Sequence, residues 1–176
     1  MRLLRNGSLL VLLAVWLAGG AAFAADGDKF AEPSLGDFPA ELRAAQKAGK
    51  AGVMLMFEVA DCPYCVRMKR KVLSRDDVQT YFHKHFAVLS VDALGDASII
   101  DFAGHETTEK AYARALKIRG MPSFVIFGLD GGELARFAGV ARDSEEFMQL
   151  GRYVVDGHYK SLPLERYSRT TQPGKK

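Results

Sequence analysis

Apolar residues along this chain arrive in blocks whose spacing alternates between a helical and an extended period. Phe38, Leu42 and Ala45 recur at helical spacing, with Pro39 near the start of the run and Gly49 just past its end. Residues 52–60, GVMLMFEVA, are almost continuously apolar, the pattern of a strand buried on both faces. The segment ADCPYCVRM (60–68) follows at once and opens a helical stretch. Val78, Tyr81, Phe82, His85 and Phe86 continue that helix on one face, and Ser74 with Asp77 is suited to re-cap it after a bend. FAVLSVD (86–92) reads as a second strand, and residues 93–106 as a polar, glycine-containing connection. Tyr112, Ala115 and Leu116 resume the helical pattern before a third strand, SFVIF. Asp130-Gly131-Gly132 is a hairpin turn into ELARF, which alternates as an edge strand does. Phe147, Leu150, Gly151 and Val154 mark a last helix. The order predicts an α/β domain: a mixed sheet of four strands, with room for a fifth, and helices on both faces.

The two ends stand apart from that pattern. Arg2 and Arg5 precede an apolar run from Leu9 to Ala18, Gly19 and Gly20 break it, and Ala22-Phe23-Ala24 has small residues where a signal peptidase reads. These features predict an export signal over 1–24 and a periplasmic protein; if uncleaved, the uncharged run 8–25 is just long enough to act as a membrane anchor. Residues 25–36 read as a polar linker, 37–159 as the domain, and 160–176 (KSLPLERYSRTTQPGKK) as a basic, poorly ordered tail. The formal net charge is +3, and two of the basic residues lie in the predicted signal. A near-neutral domain gives no electrostatic case for nucleic acid, which wants a clustered basic face, so no nucleic-acid partner is expected.

Chemistry concentrates in Cys62 and Cys65, the chain's 2 cysteines. A structural zinc site needs four ligands, and His83 and His85 stand too close together for the usual pairing; no metal is expected. His85 falls on the apolar helix face, where a core or boundary role is commoner. As an inert staple, a bridge between residues i and i+3 closes so short a loop that it stabilises little. A redox pair explains the location. A thiol just after a buried strand, at the first turn of a helix, faces unpaired N–H groups and the positive end of the helix dipole. Both favour the thiolate, which is the nucleophile. Pro63 suits the first turn because its missing N–H costs nothing there. On this reading Cys62 attacks, Cys65 resolves one turn deeper, and no further cofactor is needed.

Three separated segments carry a resemblance. CPYC after an apolar strand, IRGMPSFVIF at 118–127 and DGGELARFAGV at 130–140 together resemble the thioredoxin superfamily over about residues 37–158. The resemblance implies the thioredoxin fold, with Pro122 as a cis proline and the Met121 backbone presented to an extended client segment. Tyr64, between the two cysteines, is expected to be exposed beside the disulfide, either packing against clients or simply placed at the surface. More narrowly, LMFEVADCPYC and the insertion GDASIIDFAGHETTEKAYARAL are similar to exported proteins of the SoxW type. The chain is expected to be a monomeric thiol–disulfide oxidoreductase, and that likeness implies that it reduces disulfide-bearing client proteins, in sulfur oxidation or cytochrome c maturation. Its electrons would come from a membrane thiol transporter of the DsbD or CcdA type. An oxidase or isomerase of the same fold and a non-catalytic peptide-binding module are the alternatives.

The chain departs from that family at two places. Met56 stands where cytoplasmic thioredoxins bury an aspartate, and its lysine partner is replaced by an apolar residue near Val88. Glu58 is the nearest substitute, expected to be a strand-end carboxylate raised by burial and acting as base for Cys65; a solvated glutamate is the alternative. Asp61 replaces the usual tryptophan, and is expected to cap the helix and to oppose thiolate formation at Cys62. Arg67 and Lys69 follow on the helix, either solvated or adding positive potential.

Overall fold

The structure, a computed structural model, describes residues 26–171, so the predicted export signal and residues 172–176 lie outside it. In chain order the elements are β1 (Glu32–Pro33), α1 (Phe38–Lys47), β2 (Gly52–Glu58), α2 (Pro63–Met68) and α3 (Asp76–His85). They continue with β3 (Phe86–Asp92), β4 (Ser98–Ile100), β5 (Glu106–Thr108), α4 (Glu109–Ala115), β6 (Ser123–Gly128), β7 (Glu133–Ala138), α5 (Ser144–Val155) and α6 (Leu164–Thr171).

The apolar run 52–58 becomes the central strand. β2 pairs in parallel with β3, from Gly52 opposite Phe86 to Glu58 opposite Asp92, and antiparallel with β6 on its other side. β7 and β1 complete a mixed five-stranded sheet in the order β1-β3-β2-β6-β7. Each face of β2 feeds one half of the core. Val53, Leu55 and Phe57 pack with Phe38 and Tyr112, whereas Met54 and Met56 join Phe82, Phe124 and Phe147. Burial on both faces is why the strand's sequence does not alternate. At its start, a Cβ on Gly52 would lie 2.0 Å from the Phe127 carbonyl oxygen, so the close approach of β6 requires glycine there.

Several segments differ from expectation. The stretch read as a linker contributes to the fold: Phe30 is fully buried, with its ring 5.6 Å from Phe82 and 5.9 Å from Phe147. Just after it, β1 pairs with β3 as an edge strand. Part of the 93–106 connection forms a small antiparallel pair, β4 with β5. The helix opened by the cysteines runs through a π turn at Lys69–Leu73 and then breaks. Ser74 and Asp77 do not re-cap it: the Ser74 hydroxyl donates back to the Arg70 carbonyl, and Asp77 takes the Arg75 guanidinium at 3.0 Å. Phe86, read both on the helix face and as the start of FAVLSVD, is the first residue of β3, so the strand reading holds there and the helix ends at His85. In the predicted tail, α6 docks on α5 through Tyr167, buried against Tyr153 at 5.5 Å between ring centres.

His85 is half-buried against Tyr81, 4.7 Å away, as a boundary residue. Burial lowers its pKa, and Lys84 adds to the effect. Among the described residues no helix is long and apolar enough to cross a membrane.

Candidate active site

Where β2 ends, the chain must turn within four residues to start α2. Asp61 makes that turn in a left-handed conformation, φ 54°, which short polar side chains tolerate better than most. It therefore does not cap the helix. Cys62 does, with the Cys65 N–H donating to its Sγ at 3.1 Å, and Pro63 takes the first helical position. The cap that serine or aspartate usually supplies is here a cysteine sulfur.

Cys62 and Cys65 form a disulfide, with Cα atoms 5.2 Å apart. Cys62 keeps 8% of its surface and Cys65 only 3%, so the outer sulfur faces a cleft and does not protrude. That cleft, about 470 Å³, is lined by both cysteines together with Asp28, Glu58, Asp61 and Lys69.

Glu58 closes β2 two residues beyond Met56, on the same face of the strand. Met56 and Val88, where cytoplasmic thioredoxins place their charged pair, are both buried in the apolar core. A charged pair is present one same-face position further out. Lys69 Nζ lies 2.8 Å from Glu58 Oε2 and 3.2 Å from Asp28 Oδ1. Lys69 follows Cys65 by four residues, which sets it one turn along the same face. Burial pulls the Lys69 ammonium down, yet its bonds to Glu58 and Asp28 more than offset this and leave its pKa raised. The Glu58 side chain is 24% exposed, so it is neither deeply buried nor simply solvated. The Cys65-to-Lys69 spacing was the available signal for Lys69; Asp28 had none, sitting in the stretch read as a linker.

The remaining predicted residues gather on the other side of α2. The Met121–Pro122 peptide is cis, as the resemblance implied. Pro122 is buried and its carbonyl accepts from Gly139 N–H at 2.8 Å. The ladder of β6 with β2 and β7 stops at Ser123, so the Met121 backbone lies outside it. Tyr64 is 61% exposed and shares with Met121 a groove of about 540 Å³, whose rim includes Arg67, Lys71 and Arg142. Of the six predicted site residues, Glu58 thus lies with the cysteines in one cleft, and Tyr64 and Met121 lie in a second groove.

Comparison with known proteins agrees with this architecture. A family model described as a thioredoxin-like domain matches residues 38–155. No curated protein matches the chain. Among solved structures, a thioredoxin from Thermus thermophilus is 30% identical, with a TM-score of 0.53 over 70% of this chain and 85% of that one. A thioredoxin-fold protein from Helicobacter pylori, 18% identical, superposes with a TM-score of 0.57 over 69% of this chain and 84% of its own. A DsbH oxidoreductase, 16% identical, gives 0.53 over 72% of this chain and 86% of that one. With the model spanning most of the domain, the CxxC disulfide capping α2 and a cis proline before β6, the chain belongs to the thioredoxin-like family.

Proposed function

We propose that this protein is an exported thiol–disulfide oxidoreductase that reduces disulfides in extracytoplasmic client proteins. The observation that carries the reading is the Cys65 N–H donating to Cys62 Sγ at the start of α2, in a disulfide that lines an open cleft. A donor already aimed at that sulfur stabilises the charge that appears when the disulfide is reduced.

In the reducing direction the Cys62 thiolate attacks one sulfur of the client disulfide. A bond forms between Cys62 Sγ and that sulfur, and the second client sulfur leaves as a thiolate. Cys65 then loses its proton and attacks Cys62 Sγ, which closes the protein disulfide and releases the other client thiolate. The client gains two electrons and the protein loses them. Glu58, held by Lys69, is the base for the Cys65 proton; the shared cleft and the Cys65-to-Lys69 spacing support that role. Met121 and Pro122 dock the client strand, supported by the Met121 backbone lying outside the sheet ladder, and Tyr64 packs against it.

Regenerating the dithiol needs an electron donor. The SoxW-like segments support a membrane thiol transporter of the DsbD or CcdA type, and the apolar N-terminal run supports export to the periplasm. The test is turnover of a peptide disulfide by the reduced protein. Cys62→Ser should abolish it, and Cys65→Ser should trap the mixed disulfide on Cys62. Undiminished function in Cys62→Ser would instead point to a peptide-binding module with an incidental disulfide.

A further inference from the structure

The disulfide lies between two surfaces of opposite charge. On one side, Asp28, Glu58, Asp61 and Asp92 line the cleft together with Lys69, which pairs with Asp28 and Glu58. On the other, the groove beside Tyr64 and Met121 carries Arg67, Lys71 and Arg142, and none of its lining residues is acidic. Arg70 extends the same surface, sharing a shallow depression with Arg67 and Lys71. These four cations are exposed. Little nearby charge answers them. Arg142 pairs with Glu146 at 3.3 Å, and Lys71 donates to the Arg142 carbonyl and has no carboxylate partner among the described residues. Arg67 and Arg70 have no ion pair among the described residues.

We infer that this groove selects clients whose cysteine lies in an acidic segment, an inference that rests on the oxidoreductase reading above. A client strand that brings its cysteine to Cys62 alongside Met121 lays its flanking side chains across the arginine rim. Carboxylates there meet guanidinium groups that bind them in a two-pronged geometry. The same segment would be repelled by the carboxylates of the opposite cleft. The charge pattern therefore fixes the side on which the client lies as well as its composition. Lysine-rich clients are disfavoured on the groove side by like charge.

Exposed pairs are individually weak, so the effect is a graded preference in rate, of about tenfold for several pairs together. The probes are three synthetic peptides, each a disulfide-linked homodimer, with the cysteine flanked on both sides by glutamates, glutamines or lysines. The reduced full-length protein is mixed with each, and released peptide thiol is followed. Rates are divided by those with dithiothreitol, which cancels the peptides' own reactivity. The expected order at low salt is glutamate, glutamine, lysine, with the spread shrinking toward unity at about 0.5 M NaCl. In the double variant Arg67→Glu with Lys71→Glu the order should invert. The order is read within each variant, so a general loss of reactivity does not confuse it. Equal normalised rates for the three peptides, or an unchanged order in the double variant, would overturn the inference while leaving the oxidoreductase reading intact. If none of the peptides exchanged with the protein although dithiothreitol reduced them all, both would fall together.

Discussion

At the scale of single residues, one substitution pattern defines the site. The apolar Met56 and Val88 leave those two core positions uncharged, and Glu58 and Lys69 place a charged pair at the mouth of the same strand and helix. Being nearer solvent, that pair is less costly to bury than an interior one. If Glu58 takes the Cys65 proton, Glu58→Gln should slow resolution of the mixed disulfide by roughly 10²-fold near neutral pH. The deficit should shrink above about pH 8.5, where a thiol ionises without help. Single-turnover trapping of the Cys62 mixed disulfide across pH measures this, and identical rates for the variant and the parent at every pH would remove Glu58 from the mechanism. The Cys62–Cys65 disulfide and the cis bond between Met121 and Pro122 were legible in the sequence because each sits in a short motif at a marked boundary. Lys69 was visible but undecided, since a lysine after a CxxC motif looks the same whether solvated or paired. The capping role assigned to Asp61 failed because the strand-to-helix turn needs that residue in a left-handed conformation, which passes the cap to Cys62.

At the scale of elements, strong periodicity translated directly into structure. The unbroken run in β2 and the hairpin into β7 formed where their patterns placed them. What escaped notice was short or lacked a period. β1 has two residues, and β4 and β5 have three each, too few to establish an alternation. Phe30 is a lone apolar residue among polar neighbours, and only the ring cluster it enters shows that it belongs to the core. Phe30→Ala should therefore destabilise the domain by about 3–5 kcal/mol, the usual cost of removing a fully buried phenylalanine. Urea unfolding measures it; a change below about 1 kcal/mol would mean that residues 26–33 behave as the linker their composition suggests. The consequence reaches the site, because the same segment carries Asp28 to Lys69.

At the scale of the whole molecule, the fold sets a disulfide at the end of its central strand, between an acidic cleft and a basic groove. The sheet order and the helices supply the frame, and family membership follows from them. Direction of electron flow does not, because reductases and oxidases share this fold and differ in the relative stability of dithiol and disulfide. Two features are expected to act on that balance in opposite senses: the Cys65 N–H that donates to Cys62 Sγ favours a thiolate there, and the Asp61 carboxylate lining the same cleft disfavours one. The most direct test of the central claim is the equilibrium potential of the Cys62–Cys65 pair, from thiol trapping across a glutathione series. A reversible two-electron equilibrium near thioredoxin's value, about −270 mV, is the predicted result. A potential near about −120 mV would contradict the reducing role, and the absence of any reversible disulfide would contradict the redox reading itself.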